Sequence, residues 1–115
     1  MNIYQSAKKL SICLGLLFVV GNALALTPAQ EGRKVFLSQN CYGCHGGRGG
    51  GGMGPDLREE AEDVGEAVHQ GLEGGMPAYP GVTAVQIQNL QAYFRSMGSS
   101  AEPTFTHWWE AVPKQ

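Results

Sequence analysis

The amino-acid sequence predicts an all-α domain of about three helices. Three observations point there. Apolar residues recur at helical period, with no alternating strand pattern. Two of the helical stretches open on a capping signature. Glycine-rich runs separate them. The 115 residues allow one domain, and no internal repeat divides it.

The first 25 residues are expected to stand apart from that domain. Lys8 and Lys9 close a basic start, Leu10 to Val20 is an uncharged, mostly apolar run of 11 residues, and Ala23-Leu24-Ala25 is a small-x-small pattern. This is the order of a secretory signal peptide cut after Ala25, which places the mature chain in the periplasm. A membrane span would need about 20 apolar residues, so no span is expected in the mature chain. Cys13 would leave with the leader; a lipoprotein cysteine would follow the apolar run. The mature chain then divides into a domain over residues 26–98 and a tail over 99–115. It carries six Lys+Arg against ten Asp+Glu, a formal charge of −4. That balance disfavours nucleic acid and anionic membranes and suits partners with a positive docking patch.

The first helix starts at Thr27-Pro28-Ala29-Gln30. Thr27 caps, Pro28 fits the first helical position and Gln30 completes a capping box. It is expected to run to about Gln39. Cys41 to Pro55 is too rich in glycine for regular structure and reads as a loop. A second helix is expected over Glu60 to Gln70, with acidic residues at its positive end, Ala61, Val64, Ala67 and Val68 on one face, and Gly71 as its stop. The loop Leu72 to Val82 holds Gly74-Gly75-Met76-Pro77. The third helix starts at Thr83, with Gln86 three positions on, and Val85, Ile87, Leu90, Phe94 and Met97 supply its apolar face up to Gly98. Phe105, Trp108 and Trp109 in the tail argue that it packs on something.

The chemistry is carried by Cys41-Tyr42-Gly43-Cys44-His45. Its spacing is C-x-x-C-H, the attachment signature of c-type haem. Two thiols can add to the two vinyl groups along one porphyrin edge, and the adjacent imidazole can bind the iron. The compartment agrees: two exported cysteines three positions apart would make a poor disulfide framework. A thioredoxin-like pair would need a βαβ setting, and no strand is visible. A zinc site from Cys41, Cys44, His69 and His107 would lack a second ligand pair. One covalent haem also supplies apolar surface that a mature chain of 90 residues lacks.

The other face of the iron needs a ligand if the chain only carries electrons. Met53, Met76, Met97, His69 and His107 are the candidates, and Met76 is preferred. It lies 31 residues after His45, before Pro77, in the loop between the second and third helices. Met97 reads as core, His69 falls off the apolar face, and Met53 follows His45 by only eight residues. His107 in the tail, Met53 and an open site stay as alternatives.

With these residues placed, Pro28 to Met97 resembles a monohaem cytochrome c of the His/Met kind, class I-like. The resemblance implies a small cytochrome c-like fold wrapped round one covalent haem, with crossed N- and C-terminal helices. Gly32 and Phe36 would then meet the last helix near Tyr93 or Phe94. Gly54-Pro55-Asp56-Leu57 resembles the segment whose proline carbonyl accepts a hydrogen bond from the proximal imidazole, so Pro55 would orient His45. Gly75-Met76-Pro77-Ala78-Tyr79 resembles the methionine-ligand loop, shortened here. The implied role is single-electron transfer by a monomer, not catalysis. Thr106-His107-Trp108-Trp109 resembles tails on cytochromes that serve periplasmic quinoprotein dehydrogenases. A pyrroloquinoline quinone (PQQ) dehydrogenase would then be the donor, and a terminal oxidase or another cytochrome the acceptor. A haem subunit fixed to a dehydrogenase, and a sensor or peroxidase-like protein with an open distal site, are the competing roles.

Overall fold

Four helices form among residues 25–111, the part of the chain that the computed structural model describes: α1 (Pro28–Ser38), α2 (Tyr42–His45), α3 (Val64–Gln70) and α4 (Ala84–Ser96). Residues 1–24 of the expected leader, with Lys8, Lys9 and Cys13, and residues 112–115 lie outside it. Among the described residues there is no β-strand, only an isolated bridge between Leu72 and Met76. No helix among them is long and apolar enough to cross a membrane.

Both capping boxes form. The Thr27 hydroxyl accepts from the Gln30 N–H at 3.2 Å, and the Gln30 side chain accepts from the Thr27 N–H at 2.9 Å. Thr83 and Gln86 repeat the exchange at 3.2 and 2.8 Å in front of α4. Each box satisfies two amide groups that a helix start leaves without partners.

The fold is organised by the crossing of α1 over α4. A Cβ on Gly32 would lie 1.9 Å from the Asn89 carbonyl oxygen and 2.7 Å from Cβ of Tyr93, so only a hydrogen atom fits between the backbones. One turn on, Phe36 meets Tyr93 edge-on, ring centroids 5.6 Å apart. Phe36, Leu90 and Tyr93 are wholly buried, and burying a side chain such as Leu90 or Phe36 is worth about 2 kcal/mol. Val64, Val68 and Ile87 extend the same core towards α3.

The second expected helix is shorter than its pattern implied: α3 begins at Val64, not Glu60. The residues before it are spent on turns. The Asp56 carboxylate accepts from the Arg58 amide and grips its guanidinium, and the Glu60 N–H bonds the Leu57 carbonyl at 3.2 Å. Ala61 is buried from a turn, and Asp63 gives α3 no side-chain cap. Gly71 ends α3 with φ of 71°. In α4, Val85 is a second correction. It is 64 % exposed, on the outer side of the first turn, while Ile87 and Leu90 take the core. Met97 is half-buried against that core.

Candidate haem-binding site

The site starts at the junction of α1 and α2. Asn40 adopts φ of 58°, a left-handed conformation that asparagine tolerates better than most side chains, and the chain reverses there. The Cys41 N–H bonds the Phe36 carbonyl at 3.1 Å, tying the junction to α1. The next turn is helical: His45 N–H to the Cys41 carbonyl, 3.0 Å, and Gly46 N–H to that of Tyr42, 3.0 Å. Positions three and four apart share a helix face, so Cys41, Cys44 and His45 lie together. Cys44 is exposed, Cys41 half-buried, and neither forms a disulfide.

The glycine-rich loop then folds back onto α2. The Gly51 N–H bonds the His45 carbonyl and the Gly54 N–H that of Cys44, both at 2.8 Å. This return brings the Pro55 carbonyl to 2.8 Å from Nδ1 of the buried His45 ring. A carbonyl only accepts, so Nδ1 carries the proton and the neutral ring keeps its lone pair on Nε2. Gly54 leaves the room for this: a Cβ there would lie 2.6 Å from His45 Cε1.

The loop after α3 folds back onto that helix. Leu72 N–H bonds the Met76 carbonyl at 3.0 Å, and Tyr79 N–H bonds that of Val68 at 2.7 Å. Met76, Tyr79 and Cys41 pack on the same core cluster. Burial, and then the neighbouring Cys41 and Cys44, hold the Tyr79 phenol above its ordinary value. Burial likewise pushes the Cys41 thiol up to about 11; a backbone hydrogen bond opposes the shift and the charge of Cys44 adds to it. A thiol held protonated is the reverse of the activated cysteine in a C-x-x-C oxidoreductase.

The other sequence candidates sit elsewhere. Met53 is 87 % exposed. His69 is exposed, and its Nε2 bonds the Val82 carbonyl at 2.7 Å. His107 stacks on Trp109, centroids 4.5 Å apart, and its Nδ1 lies 3.1 Å from the Glu110 carboxylate. Among the described residues no three His, Cys, Asp or Glu side chains converge as a metal cluster, so the zinc grouping of Cys41, Cys44, His69 and His107 does not assemble.

The tail does pack, and what it packs on escaped the sequence reading. Arg33 is wholly buried beneath it. The signal was an arginine three positions before Phe36, on the apolar face of α1.

The donor set fits a c-type haem: two thiols and an imidazole on one face of a turn, the imidazole with a free nitrogen, and Cys41 packed on the same apolar cluster as Met76 and Tyr79. When bound, that group supplies a one-electron couple. For such a group the two thiols would be the points of attachment and His45, held by Pro55, the imidazole ligand.

Residues 27–94 match the model of the family described as Cytochrome C oxidase, cbb3-type, subunit III. No curated protein and no solved structure gives a match. The family match covers more than half of the chain, and with the helical fold it means that this protein belongs to that family and is a c-type cytochrome, a haem protein of electron transfer.

Proposed function

We propose that the mature chain is a periplasmic single-electron carrier holding one haem c, released from its leader after Ala25, with residues 26–98 as the cytochrome domain. Cys41 and Cys44 form the thioethers, His45 and Met76 bind the iron, and Pro55 orients His45. The observation that carries this reading is the 2.8 Å contact between His45 Nδ1 and the Pro55 carbonyl, which leaves Nε2 for the metal. A thioether opposite the imidazole favours Fe(II) over Fe(III) and raises the potential. The half-burial of Met76 on the cluster that also holds Cys41 supports it over the exposed Met53.

The carrier takes one electron from a donor such as a PQQ-dependent dehydrogenase and passes it to a terminal oxidase or another cytochrome. It works as a monomer through a small, transient interface. The test is spectroscopic. The ferric protein shows the weak far-red methionine-to-iron band, and Met76→Ala abolishes it. Survival of the band in that variant moves the ligand elsewhere. Rapid carbon monoxide binding by the native ferrous form would instead support an open distal site.

A second reading, a subunit fixed to a dehydrogenase or an oxidase, is favoured by the exposed indoles of Trp108 and Trp109 and by the description of the family. Deleting residues 103–115 separates the two. Loss of co-purification with a large redox partner supports the subunit, and a chain that never co-purifies supports the carrier.

A further inference from the structure

The least expected group in the molecule is the guanidinium of Arg33. It is wholly buried, although arginine is almost never buried without partners. Its Nη1 donates to the Gly47 carbonyl and to the Tyr93 hydroxyl, each at 2.8 Å. Nε donates to the Glu110 carbonyl at 3.3 Å, and Nη2 donates to the Trp108 carbonyl. All four acceptors are neutral. One face of the guanidinium lies 3.8 Å from the centroid of Phe105, and Arg48 approaches the same ring at 4.5 Å.

Two of these partners locate the charge relative to the haem motif. Gly47 lies two residues after His45. Trp108, whose carbonyl is bound, packs its indole on Tyr42 within the motif, centroids 5.0 Å apart, and fills the space where Gly47 has no side chain. The tail is therefore a cover over a buried cation that is bonded to the chain two residues after His45.

We propose that Arg33 is a positioning residue that also tunes the iron: its desolvated positive charge favours the ferrous state, and the tail keeps water from screening it. The redox step is one electron from the reducing partner to Fe(III), giving Fe(II), with no bond made or broken. The gained negative charge is stabilised by a nearby cation, and more strongly where water is excluded. Four directed bonds from a planar fork also explain why arginine and not lysine occupies the site.

The inference rests on the haem reading, so it is tested only on protein whose mass includes the covalent haem; a wild-type chain without that mass sinks the haem reading itself. The measurement is spectroelectrochemical titration of wild type, Arg33→Met, Arg33→Lys and a chain lacking residues 103–115. The truncation removes Glu110 and Lys114 together and leaves the formal charge unchanged. In Arg33→Met the ferrous-to-ferric ratio at a fixed applied potential is expected to fall about tenfold, a downward shift of about 59 mV for one electron. Arg33→Lys keeps most of the wild-type potential, and the truncation falls part of the way. A haem-loaded Arg33→Met with the wild-type potential overturns the proposal. So does Arg33→Lys falling as far as Arg33→Met, because then packing and not charge matters. Should Arg33→Met fail to fold, the truncated protein decides: an unchanged potential there overturns it.

Discussion

Single side chains in this protein act mainly through backbone groups. Pro55 uses its carbonyl to fix an imidazole, Arg33 three carbonyls to bury a charge, and Gly32 its lack of a Cβ to admit a helix. Among the exceptions is the Asp56–Arg58 pair. Hydrogen bonds and the charge of Arg58 lower the Asp56 carboxyl to about 2. A carboxyl depressed in the folded state stabilises above its unfolded value, roughly 4, and loses that contribution as pH falls through its folded value. The window therefore runs from about pH 4 down to about pH 2. Asp56→Asn is expected to flatten the acid-unfolding curve within it, followed by far-ultraviolet circular dichroism. The pair is solvent-exposed, so the effect is small, and a curve that moves as a whole would mean that Asp56 acts by shaping the turn.

At the scale of elements, the helices were legible wherever their signals are local. Thr27 with Gln30 and Thr83 with Gln86 announce α1 and α4 because a capping box needs only four residues. The haem turn was legible for the same reason, since C-x-x-C-H is five residues long. The start of α3 was not, because Asp56, Arg58 and Leu57 draw the preceding acidic residues into turns that no helical period encodes. Arg33 was missed because its partners lie 14 to 77 residues away. The link between α3 and the 72–79 loop is similarly compact. Gly71 holds φ of 71°, and a Cβ there would also lie 2.7 Å from the Met76 carbonyl oxygen. Gly71→Ala is expected to cost about 2 kcal/mol in urea unfolding, from the strain of a left-handed alanine. It should also weaken the far-red methionine band while the covalent haem stays in place. An equal stability loss with an unchanged band would show that the Met76 loop is held independently of this turn.

For the molecule as a whole, the core is one helix crossing with a smaller layer of α3 laid beside it, and α1 and α4 supply its four largest fully buried side chains, Arg33, Tyr93, Phe36 and Leu90. The other half of the domain is loop. Residues 46–63 and 72–82 contain no helix and are held mostly by backbone hydrogen bonds within each segment, to α2 and to α3. Such segments bury little apolar surface of their own, and a domain this size needs a further source of stability. A haem between the Cys41–His45 turn and the Met76–Tyr79 loop would join the two loop halves into one cooperative unit. The Cys41→Ser/Cys44→Ser chain, purified without haem, is therefore expected to keep part of the α1–α4 helicity but to lose near-ultraviolet circular dichroism and a sharp urea transition. Retained dichroism with a sharp transition at the holoprotein's midpoint would mean that the protein alone completes its core, and the haem would then be cargo on a finished fold.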